Sequence, residues 1–387
     1  MKTVVCTAQD FGFGPVSKLL AITENLSNIR TIFFGHGVAL DLAKLHAFDA
    51  IHECRPDDHE KIRVLLNQGD LFINVMDFSL NLLAKSLGCP YFLIDSLLWF
   101  WPELPAGVEH ADRYFCQNFF GAGLEARVKG LSNAQIIGPI MNTKFRRYTK
   151  KDQVMINFGG LDNPYIAIGE NSNYPFTMLK ILIPILQKCF ASILITGRER
   201  VMRLCRERFS DVERCQFKNL AQQEMLEELY SSKALFTAPG IQTFYDAADK
   251  VPIFCLPPQN DSNIRNLRML VAHRVIEHYL QWEDIYESTV DQGQDIVAIF
   301  ARLLETIAQF ESDLDRQRIM EHRVQAFLDA CGTWGDLVAK QRQSVESLGV
   351  NGGQTIIQAI QRVLYPPAST VMYDWQCFSA VLFTQKI

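Results

Sequence analysis

Residues 234–266 read ALFTAPGIQTFYDAADKVPIFCLPPQNDSNIRN, and this order of residues admits few folds. The apolar run Ala234 to Ala238 predicts a buried strand. Pro239 and Gly240 end it and open a helix from about Ile241. Without a Cβ, Gly240 lets a ligand approach the backbone closely, and the first N–H groups of the helix point outward, open to an anion. A second apolar strand, Pro252 to Leu256, is closed by Pro257 and Pro258. The polar residues Gln259 to Asn263 then form a loop into another helix. The segment is one βαβα unit with its polar groups at the carboxyl ends of the strands, where open α/β sheets bind ligands.

Asp246 stands six residues after Gly240, and Asn263 and Asn266 keep a Q-x-x-N spacing with Asn in the first place. In these features the segment resembles the nucleotide-sugar half of GT-B glycosyltransferases. The pattern is similar to that of the peptidoglycan N-acetylglucosaminyltransferase and of the macrolide and UDP-glucuronosyl types. The resemblance implies an α/β protein with two Rossmann-like domains facing a cleft. It also implies donor contacts at Gly240, Gln242, Thr243, Asp246 and Asn263, with Asp246 placed to accept hydrogen bonds from a ribose diol.

A chain of 387 residues, 48% of them apolar, suits two α/β domains better than one core. The net charge of -5 argues against a nucleic-acid partner. The 10 cysteines are scattered, with no C-x-x-C or Cys/His cluster, so no metal centre is expected. Several lie in apolar strands, such as Cys6 and Cys255, which predicts reduced core thiols in a cytoplasmic protein. No long apolar h-region opens the chain, and no run of 18 apolar residues predicts a membrane span.

Strands are expected at Thr3 to Thr7, Thr31 to Phe34, Leu71 to Val75, Tyr91 to Ile94, Tyr114 to Cys116 and from Gln135, with helical spacing between them. Gly138, Pro139 and the charged stretch that follows mark a linker. Residues 1–145 and 151–364 are therefore expected to be two domains, and the resemblance implies that the first binds the acceptor and the second the nucleotide sugar. Residues 365–387 are a tail expected to cross back to the first. The second domain opens on Val154 to Phe158, continues with strands at Ser192 to Thr196 and Ala234 to Ala238, and is mostly helical from about Asp295.

Gly159 and Gly160 follow a strand, a turn that leaves backbone N–H groups free for a diphosphate. Thr196 and Gly197 end the next strand, with Arg198 and Arg200 behind them as candidate phosphate partners. The resemblance places Phe217 to Asn219 beside the nucleobase. On the acceptor side the first strand runs into Gln9, Asp10, Phe11, Gly12, Phe13 and Gly14. Many proteins of this type carry a His base in that loop; here Asp10 is the nearest candidate. His36, at the end of the second strand, is the other. Gly12, Phe13, Gly14, Asp95 and Trp99 are the candidate acceptor contacts, with the Trp99 and Trp101 rings suited to stacking.

Three functions fit. One is metal-independent, inverting transfer of a sugar, with no cofactor beyond the donor; Asp313 and Asp315, the nearest approach to a D-x-D motif, fall in a helical stretch. The second is a sugar-nucleotide epimerase. The third is a non-catalytic nucleotide-sugar-binding protein. Within the first, the glycine loops and overall length are also similar to cytosylglucuronate synthases.

Overall fold

The computed structural model describes residues 1–141, 148–161, 163, 165–286 and 295–366. Continuous apolar runs are the mark of strands buried on both faces, and here they form two wholly parallel sheets. The first contains β1 (Lys2–Ala8), β2 (Ile29–Gly35), β3 (Ala50–Glu53), β4 (Leu71–Val75), β5 (Tyr91–Asp95), β6 (Arg113–Gln117) and β7 (Ala134–Ile137). Their order is β3-β2-β1-β4-β5-β6-β7. The second contains β8 (Gln153–Asn157), β9 (Ser192–Thr196), β10 (Cys215–Lys218), β11 (Ala234–Thr237) and β12 (Ile253–Cys255), in the order β10-β9-β8-β11-β12. Each order reverses direction once, at β1/β4 and at β8/β11. A crevice opens at such a switch point. The loops after β1 and β8 stand at these two positions.

Helices cover both faces of each sheet. In the first domain Val4, Cys6 and Ile73 pack on one side, and Val5, Ile32 and Phe34 on the other. In the second, Ile156, Ile195 and Phe236 face one cluster, and Met155, Leu194 and Leu235 the other. Cys6 and Cys255 are buried and unpaired, as their apolar strands predict. Among the described residues no helix is long and apolar enough to cross a membrane.

Several elements differ from the sequence expectation, among them the edge strand β10, which no expected strand covered. The strand β3 was not expected: its residues Ala50, Ile51, His52 and Glu53 are at least partly exposed at the sheet edge and carry little apolar signal. Residues 261–263, expected in a loop, are the first turn of the helix Asp261–Ala272, because the Asn260 side chain accepts the Asn263 N–H at 2.8 Å and caps it. The helix Gly352–Leu364, read with the second domain, packs on the first. Its Ile356, Ile357, Ile360 and Leu364 join the cluster of Val16, Leu19 and Leu20. Among the described residues the chain thus passes between the domains twice, and Gly138 and Pro139 before the first passage touch Gly352 after the second. The Gly352 N–H donates to the Pro139 carbonyl at 3.2 Å, and a Cβ on Gly352 would lie 1.9 Å from the Gly138 oxygen. Of the tail expected to cross back, residues 367–387 lie outside the described residues.

Candidate functional site

The two glycine loops meet face to face. A Cβ on Gly160 would stand 2.6 Å from Gly12 Cα and 2.8 Å from Val38 Cγ1. Only a residue without a side chain lets the domains approach this closely. Further contacts hold the closed cleft. Arg198 pairs with Asp41 at 2.7 Å, the Gln222 N–H donates to His46 Nε2 at 3.3 Å, and Tyr245 Oη donates to the Asn118 carbonyl at 2.6 Å.

The cleft has two adjoining compartments. They share Phe13, Gly14, Asn157, Gly159, Gln242 and Thr243. The larger is also lined by Gly12, Gly160, Gly240 and Asn263, with Gln259 and Asn266. The smaller adds Thr196, Gly197 and Asp246, with Leu220 and Met225 as an apolar wall. The structure thus gathers Gly12, Phe13, Gly14, Gly159, Gly160, Thr196, Gly197, Gly240, Gln242, Thr243, Asp246 and Asn263 around one cavity.

Asn157 ties this wall together. Its Oδ1 accepts the Gly159 N–H at 3.0 Å and the Thr196 hydroxyl at 3.2 Å, and its Nδ2 donates to Thr243 Oγ1 at 3.3 Å. The Gly159 N–H is therefore committed within the loop and is not free for a phosphate. The larger compartment holds a set of unanswered acceptors. Asn263 and Asn266 each donate through Nδ2 to the Pro239 carbonyl, at 3.3 and 2.9 Å. Gln242 donates through Nε2 to Asp246 Oδ1 and to the Ile140 carbonyl, both at 3.1 Å. The amide oxygens of Asn263, Asn266, Gln242 and Gln259 are buried and have no partner among the described residues. Buried polar atoms of this kind are costly unless something donates to them.

Asp246 is buried, and burial pushes its carboxyl up to about 7, against the Gln242 hydrogen bond and the charge of Lys18. Between about pH 4 and pH 7 the folded state therefore holds a proton that the unfolded state has lost, so stability falls as pH rises through this window. Asp246→Asn removes the effect. The melting temperature of the variant relative to the parent should climb from pH 4 to pH 8, and a flat difference would refute the assignment.

Several candidates lie off the cavity. Asp95 is fully buried behind it; Oδ1 accepts the Leu97 N–H at 2.6 Å, and Oδ2 accepts from Tyr114 Oη at 2.7 Å and Trp101 Nε1 at 3.1 Å. Its neighbours Ser96 and Leu97 line the cleft in its place. Trp99 packs on Phe119, with ring centroids 5.3 Å apart, and lines neither compartment. Asn219 gives way to Leu220. Arg200 is held by the Ile168 carbonyl at 3.1 Å and by Glu170 at 2.7 Å. Asp10 and His36 stand together and line neither compartment, although Gln9 and Phe11 on either side of Asp10 line the larger one; Asp10 Oδ2 lies 3.5 Å from His36 Nε2. Asp10 Oδ1 accepts the Val38 N–H at 2.5 Å. Gly37, with φ of 53°, leaves room for the carboxylate, since a Cβ there would meet Asp10 Oδ2 at 2.1 Å. Among the described residues no group of three or more His, Cys, Asp or Glu is placed to hold a metal ion.

Sequence reasoning missed Lys18. It lies on the helix Gly14–Thr23, lines the larger compartment and is only 2% exposed. Lysine on a helix ordinarily reads as a solvated face, so no local signal marks it.

No protein-family model matches this chain, and no curated protein matches it in sequence. Solved structures do match in shape. UGT2 of Phytolacca americana, complexed with UDP-2-fluoro-glucose and pterostilbene, has a TM-score of 0.51 at 12% identity, over 97% of this chain and 100% of that one. MurG of Acinetobacter baumannii has a TM-score of 0.49 at 13% identity, over 94% and 100%. At 12% identity the likeness to UGT2 shows the fold alone. The chain has the two-domain GT-B fold of nucleotide-sugar glycosyltransferases.

Proposed function

We propose that this protein is a hexosyltransferase that moves a sugar from a nucleotide-diphosphate sugar, with uridine the expected nucleoside, to a small acceptor. The observation that carries the reading is the set of four buried amide oxygens, on Gln242, Gln259, Asn263 and Asn266, which lack donors. A sugar offers several hydroxyl donors on one rigid ring, so it answers such a wall in a way an apolar ligand cannot. Asp246, in the adjoining compartment, suits a ribose diol, and Leu220 and Met225 suit the flat face of a base.

The acceptor would enter beside Gly12, Phe13, Ser96 and Leu97. Its oxygen or nitrogen attacks C1 of the sugar from the face opposite the diphosphate. The C1–oxygen bond breaks, the nucleoside diphosphate leaves with the electron pair, and the acceptor's proton passes to Asp10 or His36. The product has inverted configuration. Donors fixed in the cavity wall can stabilise the leaving charge without a metal.

The test is a melting screen with UDP, TDP, GDP and their sugars, followed by product analysis with a labelled donor. Ligand at about one hundred times its dissociation constant adds roughly 2.7 kcal/mol of stability. Asp246→Ala should weaken UDP binding by about 1.5–3 kcal/mol, the worth of a charged hydrogen bond; unchanged affinity by calorimetry removes Asp246 from the site. Binding without a glycosylated product, or release of an epimerised sugar, refutes transfer.

A further inference from the structure

The walls of the cleft fix where the charged part of a donor must lie. With the sugar against the amide oxygens and the ribose against Asp246, the diphosphate spans the residues shared by both compartments, among them Gly14, Asn157 and Thr243. A nucleoside diphosphate brings two to three negative charges to this point. The arginines nominated from sequence are spent elsewhere: Arg198 on Asp41, Arg200 on Glu170 and a carbonyl. Among the described residues lining the two compartments, Lys18 alone has a cationic side chain.

Its position fits the gap. Lys18 Nζ donates to the Gly14 carbonyl at 3.2 Å and would lie 3.7 Å from a Cβ on Gly14, so the ammonium sits at the shared wall. An ammonium has three N–H donors, and this bond uses one. Asp246 and Asp95 are close enough to favour the charge, yet among the described residues no carboxylate forms an ion pair with Lys18 within 4.0 Å. Burial lowers its pKa to about 8, a sign of how poorly the charge is compensated. A buried, under-paired cation weakens a fold, and a bound anion would repay that cost.

We propose that Lys18 binds the donor's diphosphate, a cation that the first domain supplies across the cleft to a nucleotide held by the second. The assignment rests on the nucleotide-sugar reading above. It also means that the donor draws the two domains together, because its charge and its sugar are recognised by different domains.

Calorimetry with UDP and with uridine, on the wild type and on Lys18→Met, tests it. UDP affinity should fall about ten- to 150-fold in the variant, the worth of one charged hydrogen bond, while uridine affinity stays within about twofold. Lys18→Arg should recover part of the loss. At pH 8.5 the wild type should take up protons on binding UDP, seen as a heat that depends on the buffer's ionisation enthalpy, and Lys18→Met should not. Equal losses for UDP and uridine would make Lys18 a packing residue and overturn the proposal; so would an unchanged UDP affinity. If the variant does not fold, absence of proton uptake by the wild type overturns it. A wild type that binds none of UDP, TDP, GDP or ADP sinks the nucleotide reading itself, whereas binding that ignores Lys18 sinks only this assignment.

Discussion

Asp10→Asn should lower the turnover of sugar transfer by about two to four orders of magnitude, the span of a general base. The substitution is well suited to the question. An asparagine oxygen can still accept the Val38 N–H that Asp10 Oδ1 accepts, so the start of the helix Gly37–Ala43 keeps its partner. What is lost is the negative charge and the capacity to take a proton. UDP affinity should barely change, since the base and ribose contacts proposed above belong to the other domain. His36, 3.5 Å away, is the competing base. His36→Ala should cost about tenfold or less if Asp10 takes the proton. Steady-state kinetics with circular dichroism as the control for folding decides between them. The reverse ranking moves the role to His36, and two variants both within about tenfold of the wild type would mean that the acceptor needs no enzymic base.

Gly160→Ala should also lower activity strongly, and by a different route. The new methyl group would stand 2.6 Å from Gly12 Cα and 2.9 Å from its carbonyl carbon, both backbone atoms that cannot rotate aside. Overpacking of this kind costs about 1–3 kcal/mol. Here it falls on the closed arrangement, because the atoms that collide belong to different domains. The closed population, and with it kcat/KM, should drop roughly 5- to 150-fold. Small-angle scattering should show a larger radius of gyration, with the melting temperature nearly unchanged. A large fall in stability without opening would mean that the loop at Gly160 is strained within its own domain.

The fold was largely legible because parallel strands buried on both faces are written as unbroken apolar runs. Leu71 to Val75 and Ser192 to Thr196 coincide with β4 and β9 for this reason. The edge strand β3 was not legible, since an edge needs little apolar surface. The cavity wall was readable as well: Gly240 and Asn263 stand at the starts of two consecutive helices, with Asp246 further along the first of them, and consecutive strand-to-helix turns of a parallel sheet open on the same side. What escaped was set by contacts far apart in sequence. Asp95 stands at a strand end like the other candidates, and only the fold shows Tyr114 and Trp101 claiming its oxygens. Lys18 is indistinguishable from a surface lysine until the second domain covers it.

The return of the helix Gly352–Leu364 to the first domain reverses the order in which the protein can mature on the ribosome. The second domain can close its own core while the chain is still being made. The first cannot, although it is synthesised earlier, because the face covered by Ile356, Ile357 and Ile360 stays open to water until these late residues emerge. A fragment cut at Met141 would present that apolar face permanently, so an isolated first domain needs the helix restored, by fusion or as a separate peptide, before it can be handled in solution.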